Sequence, residues 1–205
     1  MDHPTFILKT GSYPSHRSGQ QQAIHYINPK SAPKVSKLFY IIGPRGSGKD
    51  AMARYVRPRL HPRARILFSH RYVTRPDHLG KENYVYLTDK EFEVRLESGL
   101  FLMNWSSNNL QYGIGKEVLE WMKLGFSVVV QGSRHYLKEA DAILGRQLVP
   151  VLISVDPEIL RERRLSKLEE SQKAIEADLT LNRDLFLAHP NLIQLENNGP
   201  IDIAG

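Results

Sequence analysis

From Lys37 onward, short apolar runs alternate with stretches of helical periodicity. "KLFYII" (37–42) is a nearly unbroken apolar run, the pattern of a parallel strand buried on both faces. "AMARYVR" (51–57) predicts a helix that Pro58 ends. "ARILFSH" (64–70) predicts a second strand, "YVYL" (84–87) a short one, and "FSVVVQG" (126–132) and "LVPVLISV" (148–155) two more buried strands. "TDKEFEVRLESG" predicts a helix opening at Thr88 or Asp89 and closing at Gly99. "KEVLEWMKLG" (116–125) and "RHYLKEADAILG" (134–145) read as helices, and "LFLMNW" (100–105) with "LQYGIG" (110–115) as a strand pair. The polar segment "RYVTRPDHLGKEN" (71–83) reads as a loop. A charged stretch from 156 to 189 reads as a long helical region before a last strand, "NLIQLEN" (191–197).

Strands alternating with helices predict an α/β domain whose parallel sheet is covered on both faces. The less regular region from about 69 to 115 predicts an inserted subdomain, and helices meeting around Leu168 to Gln172 predict a second mobile element. Residues 1–36 are rich in Ser, Pro, Gly, Gln and Lys without periodicity, which predicts a flexible or loosely docked extension to a domain spanning 37–205. No internal repeat is present.

The chain has 205 residues, 41% hydrophobic and 24% charged, which suits one domain with a modest insertion. It has no cysteine, excluding disulfides and thiolate metal sites. "MDHPTFILKTG" lacks the basic and long apolar regions of a signal peptide, and no apolar run approaches the ~20 residues that span a bilayer. A cytoplasmic protein without a membrane partner is expected. The net charge of +6 suits nucleic acid or a pocket for small polyphosphorylated ligands equally well by number. The basic clusters lie within folded pattern, and neither an aromatic-rich RNA-binding signature nor zinc-finger spacing accompanies them, so nucleic acid is not expected as a partner. Homo-oligomerisation is left open.

"FYIIGPRGSGKD" carries the chemistry. Gly43, Pro44, Arg45, Gly46, Ser47, Gly48 and Lys49 fit the first seven positions of G-x-x-x-x-G-K-[ST]. Glycines let backbone N–H groups curl around phosphate oxygens, the following helix adds its positive end, and Lys49 supplies a point charge. Asp50 stands where a hydroxyl usually helps to hold Mg²⁺. A carboxylate is also a hard oxygen ligand, so Asp50 suits the metal directly or through water, but it repels nearby phosphates. Residue chemistry alone leaves a working metal ligand and a decayed loop both open.

The ordered fragments "GPRGSGKD", "HRYVTR", "GKEN", "QYGIG", "VVVQGSR" and "PEILRER" resemble the ribose 1,5-bisphosphate phosphokinases of phosphonate degradation, relatives of the guanylate kinases, from about Lys37 to Asn198. In that family the loop lysine is likewise followed by Asp. The resemblance implies a three-layer P-loop kinase with a parallel β-sheet core, an inserted acceptor-binding subdomain and a helical lid at about 163–180. It implies γ-phosphoryl transfer from ATP, with Mg²⁺, to ribose 1,5-bisphosphate, giving 5-phosphoribosyl 1-diphosphate. Where guanylate kinases carry a base-reading Glu, a Ser or Thr, and a paired-Asp strand end, this chain has Met103, Ile114, and Gln131, Ser133 and Arg134. That substitution favours a sugar phosphate over a base.

The acceptor phosphates are expected at Arg71, Thr74, Arg75, Asn83, Tyr112, Ser133 and Arg134. Trp105 and Trp121 are read as packing residues. Catalysis is expected from Lys49 with Arg161, Arg164 and Lys167 on the lid, and the metal from Asp50. The lid departs from its relatives: Lys167 falls near a usual arginine, and Asp178 stands where "I-x-x-R-L" has one, with Arg183 five residues on. A kinase for another phosphorylated acceptor such as a nucleoside monophosphate, and a non-catalytic nucleotide-binding module with a degenerate lid, are the alternatives.

Overall fold

A computed structural model describes residues 36–75, 83–168, 173, 175–177, 179–181, 189 and 192–199. Its central sheet is fully parallel, in the order β2-β7-β1-β8-β9. These strands are β1 Leu38–Ile42, β2 Ile66–Phe68, β7 Ser127–Gln131, β8 Leu148–Ser154 and β9 Ile193–Glu196. Alternation sorts the strands' side chains onto two faces. Leu38, Tyr40, Ile42, Val128, Val130 and Leu152 pack with Val118 and Met122 of α3 (Glu117–Lys123) and Leu137, Ala140 and Leu144 of α4 (Leu137–Leu144). Val151, Ile153, Phe39 and Ile41 pack on the other face with Met52 and Val56 of α1 (Lys49–Val56). The expected α/β architecture with helices on both faces is therefore the one observed.

A second, four-stranded sheet, β4-β3-β6-β5, is built within the irregular region. It comprises β3 Arg71–Val73, β4 Tyr84–Tyr86, β5 Phe101–Ser107 and β6 Leu110–Gly115, with α2 (Asp89–Glu97) packed alongside. The expected loop over 71–83 is thus corrected at its start. Val73 is buried, and β3 pairs with Tyr84–Tyr86 on one side and Tyr112–Gly113 on the other. The ambiguity at the head of α2 resolves to Thr88, whose Oγ1 accepts from Glu91 N at 3.1 Å. Within the charged stretch, α5 runs Pro157–Leu168, and 175–177 and 179–181 are helical. Ser36, assigned to the extension, is buried and donates to Met122 O at 2.8 Å. The rest of that segment, Asp178 and Arg183 lie outside the described residues.

Candidate active site

The glycine-rich loop leaves the carboxyl end of β1 and runs directly into α1. Gly46 and Gly48 hold φ of 84° and 82°, a left-handed backbone that disfavours side chains. Gly48 is the N-cap and offers no side chain to the first turn of α1, whose N–H groups suit an anion. Arg164 of α5 packs on the loop, its Cγ 3.1 Å from where a Cβ on Gly46 would sit. It is 3% exposed.

Lys49 and Asp50 look into a cavity of about 980 Å³ between the loop, the second sheet and the end of β7. Of the residues expected from sequence, Gly43, Arg45, Lys49, Asp50, Arg71, Arg75, Tyr112, Ser133, Arg134 and Arg164 line it together. Six of its lining side chains are cationic (Arg45, Lys49, Arg71, Arg75, Arg134 and Arg164) against one carboxylate, Asp50. Arg71 Nη2 lies 3.5 Å from Asp50 Oδ1, and its Cζ is 5.9 Å from the Tyr112 ring centre. Arg75 reaches the Tyr84 ring, 4.9 Å from its centre.

The other expected residues are placed differently. Thr74 ties β3 to β6: its Oγ1 accepts from Gln111 N at 3.0 Å, and its own N–H donates to Gln111 O at 3.1 Å. Asn83 donates to Ser69 O at 3.0 Å and accepts from Arg71 N at 3.1 Å, bracing the junction between the sheets. It also lines a smaller cleft with Asp50, Arg54 and Gln131. Arg161 is engaged by two carboxylates, Glu176 Oε1 at 2.7 Å and Glu158 Oε1 at 2.6 Å. The Glu176 carboxylate pushes its guanidinium above even the ordinary arginine range. Lys167 lies one turn beyond Arg163 and Arg164 on α5. Pro44, Gly46, Ser47 and Gly48 form the loop's own frame; Ser47 N donates to Pro44 O at 3.1 Å.

Met103 and Ile114, which stand where the sequence comparison put the base-reading residues of guanylate kinases, are both 0% exposed, paired across β5 and β6 within the core. Trp105, expected only to pack, also lines the cavity, its ring parallel to Tyr112 with centres 5.7 Å apart. His135 was not foreseen there either.

Tyr40 was missed as well. Its hydroxyl, reaching out from the middle of β1, accepts from Ser133 N at 3.0 Å and donates to Ser133 O at 3.1 Å, fixing the corner that presents Arg134. Burial pushes its phenol well above the ordinary range. The one available signal was a polar tip inside "KLFYII".

Among the described residues no group of three His, Asp or Glu could hold a metal ion by itself. Asp50, beside Lys49 and open to the cavity, fits the role of a single hard oxygen ligand for a cation shared with phosphates. No helix among the described residues is long and apolar enough to cross a membrane.

No family model matches the chain. It is 46% identical over 167 residues to the ribose 1,5-bisphosphate phosphokinase PhnN of Desulfomicrobium baculatum, covering 82% of this chain and 89% of that one. Its identity to the ribose 1,5-bisphosphate phosphokinase PhnN of Psychromonas ingrahamii is 44% over 177 residues, covering 86% and 89%. Among solved structures, guanylate kinase from Anaplasma phagocytophilum superposes with a TM-score of 0.64 at 17% identity, over 83% of this chain and 81% of that one. That likeness places the fold among the P-loop kinases.

Proposed function

Because the chain belongs to the ribose 1,5-bisphosphate phosphokinase family, we propose that it transfers the γ-phosphoryl group of ATP to ribose 1,5-bisphosphate, forming 5-phosphoribosyl 1-diphosphate and ADP. The observation that carries this reading is the cavity with six cations against one carboxylate, joining the glycine-rich loop to the second sheet. Two heavily phosphorylated partners meeting in one cleft need that excess of positive charge.

The loop backbone from Gly43 to Lys49 and the first turn of α1 hold the β- and γ-phosphates, with Lys49 reaching across them. Arg71, Arg75 and Arg134 hold the acceptor, whose 1-phosphate oxygen is already a competent nucleophile and needs no side-chain base. That oxygen bonds to the γ-phosphorus as the β,γ-bridging bond breaks, and ADP leaves with the electron pair. Arg164, packed against Gly46, contributes charge where it accumulates during transfer. A bound Mg²⁺ supplies charge neutralisation on the phosphate oxygens, and Asp50 is the side chain placed to hold it. Thr74 and Asn83 act through the framework by keeping Arg71 and Arg75 in place. The second sheet serves as the acceptor-binding insert and α5 as the root of the lid. The buried Met103 and Ile114 offer a nucleobase no polar edge, which supports a base-free acceptor.

The test is ADP release in the presence of ATP and Mg²⁺, comparing ribose 1,5-bisphosphate, GMP and no acceptor. The expected result is turnover specific to the bisphosphate, with 5-phosphoribosyl 1-diphosphate as product. Turnover on GMP, or none on either, would overturn the reading.

A further inference from the structure

The loop is held from behind by a residue that no motif position includes. Asn197, immediately after β9, is 4% exposed, and its Nδ2 donates to Ser47 O at 2.8 Å. Its own backbone is fixed on two sides: its N–H donates to Ser154 O at 2.9 Å, and its carbonyl accepts from Arg163 Nη1 at 3.0 Å. Anchored to β8 and α5 in this way, the side chain addresses the loop from one direction only.

In a trans peptide unit the C=O and the following N–H point to opposite sides. Holding the Ser47 carbonyl toward the buried Asn197 amide therefore turns the Gly48 N–H to the opposite side, away from the core. Glycine at Gly48 would otherwise let this peptide flip, exchanging a donor for a carbonyl oxygen that repels phosphate. The same contact accounts for glycine at this position a second time, because a Cβ on Gly48 would collide with Asn197 Nδ2.

We propose that Asn197 is a positioning residue for the nucleotide: by fixing the Ser47–Gly48 peptide, it aims the Gly48 N–H at a phosphate oxygen. The inference rests on the reading of Gly43 to Lys49 as the phosphate cradle. It explains how the last strand of the sheet, remote in sequence, takes part in the loop's chemistry. A donor oriented before the ligand arrives needs no reorganisation when charge develops on the phosphates.

The experiment measures ATP binding by calorimetry and steady-state kinetics on the full chain, Asn197→Ala and Asn197→Asp. For Asn197→Ala, ATP affinity falls about tenfold, the value of one oriented hydrogen bond, while the acceptor KM is unchanged. For Asn197→Asp at about pH 8, a carboxylate confronts the Ser47 carbonyl and affinity falls further. On lowering the pH toward about 5.5 the buried carboxyl protonates, regains a donor and restores ATP binding; Asn197→Ala shows no such recovery. A purely structural role would lower the melting temperature without this pH-dependent rescue. Folded Asn197→Ala that binds ATP as the parent does, or Asn197→Asp without rescue, overturns the proposal. Should Asn197→Ala fail to fold, the near-isosteric Asn197→Asp carries the test alone. A parent chain that does not bind ATP removes the cradle itself, and the inference falls with it.

Discussion

Replacing Tyr40 by Phe deletes one oxygen and leaves the ring in place. Tyr40 is 0% exposed, and that oxygen serves both the N–H and the C=O of Ser133, at 3.0 and 3.1 Å. Each neutral hydrogen bond contributes about 1 kcal/mol, so the pair contributes about 2 kcal/mol if nothing replaces it. For a domain of this size that corresponds to a melting-temperature loss of about 4–8 °C. The assay is guanidinium unfolding of parent and variant, where the midpoint should fall with the slope unchanged. A second reading comes from the active site, because Arg134 follows the loosened residue. At saturating ATP the KM for ribose 1,5-bisphosphate should rise, and Tyr40→Phe combined with Arg134→Ala should cost less than the sum of the single changes. A stability change below about 0.5 kcal/mol, together with additive effects on KM, would refute the claim that Tyr40 holds the Ser133–Arg134 corner.

Burial raises the Tyr40 phenol above its unfolded value, so the folded state favours the proton. Its contribution is fully present below about pH 10 and is lost as the pH rises beyond that; alkaline unfolding should show a steeper fall for the parent than for Tyr40→Phe. Lys49→Ala should lower phosphoryl transfer by about 10²–10³, measured as product formed per enzyme, and near-normal turnover would remove the loop lysine from the mechanism. Asp50→Asn should raise the Mg²⁺ concentration giving half-maximal activity about ten- to a hundredfold, read from a metal titration at fixed ATP. An unchanged titration would assign Asp50 to its Arg71 contact alone.

What was legible in the sequence was what is local. The strand, glycine-rich turn and helix around Gly43 to Lys49 read correctly because their signal falls within residues 38 to 56. The parallel sheet reads correctly because β1, β2, β7 and β8 are mostly apolar on both faces and need no knowledge of their partners. β3 did not read as a strand, since it belongs to a sheet through its pairing with Tyr84–Tyr86 on one side and with Tyr112 and Gly113, some forty residues on, on the other. Thr74 and Asn83 carry the hydrogen-bonding groups expected of phosphate ligands, and the sequence does not show that Thr74 Oγ1 accepts from Gln111 N and that Asn83 Nδ2 donates to Ser69 O. Trp105 carries an aromatic ring that serves equally for packing and for lining a cleft, and only the course of β5 decides. Tyr40 and Asn197 were invisible as site residues because their partners, Ser133 and Ser47, lie 93 and 150 positions away.

The burial of Met103 and Ile114 bears on how such an enzyme could change over evolutionary time. Because these side chains are cross-strand neighbours sealed in the core, acquiring base reading is not a matter of exchanging surface groups. A glutamate at Met103 would enter a dry apolar cluster, where it would cost several kcal/mol or take up a proton and lose the charge that recognition needs. Intermediates along that route would lose stability before gaining a new acceptor. The packing of two apolar residues therefore acts as a ratchet, and the descendants of such a chain are confined to acceptors without a base.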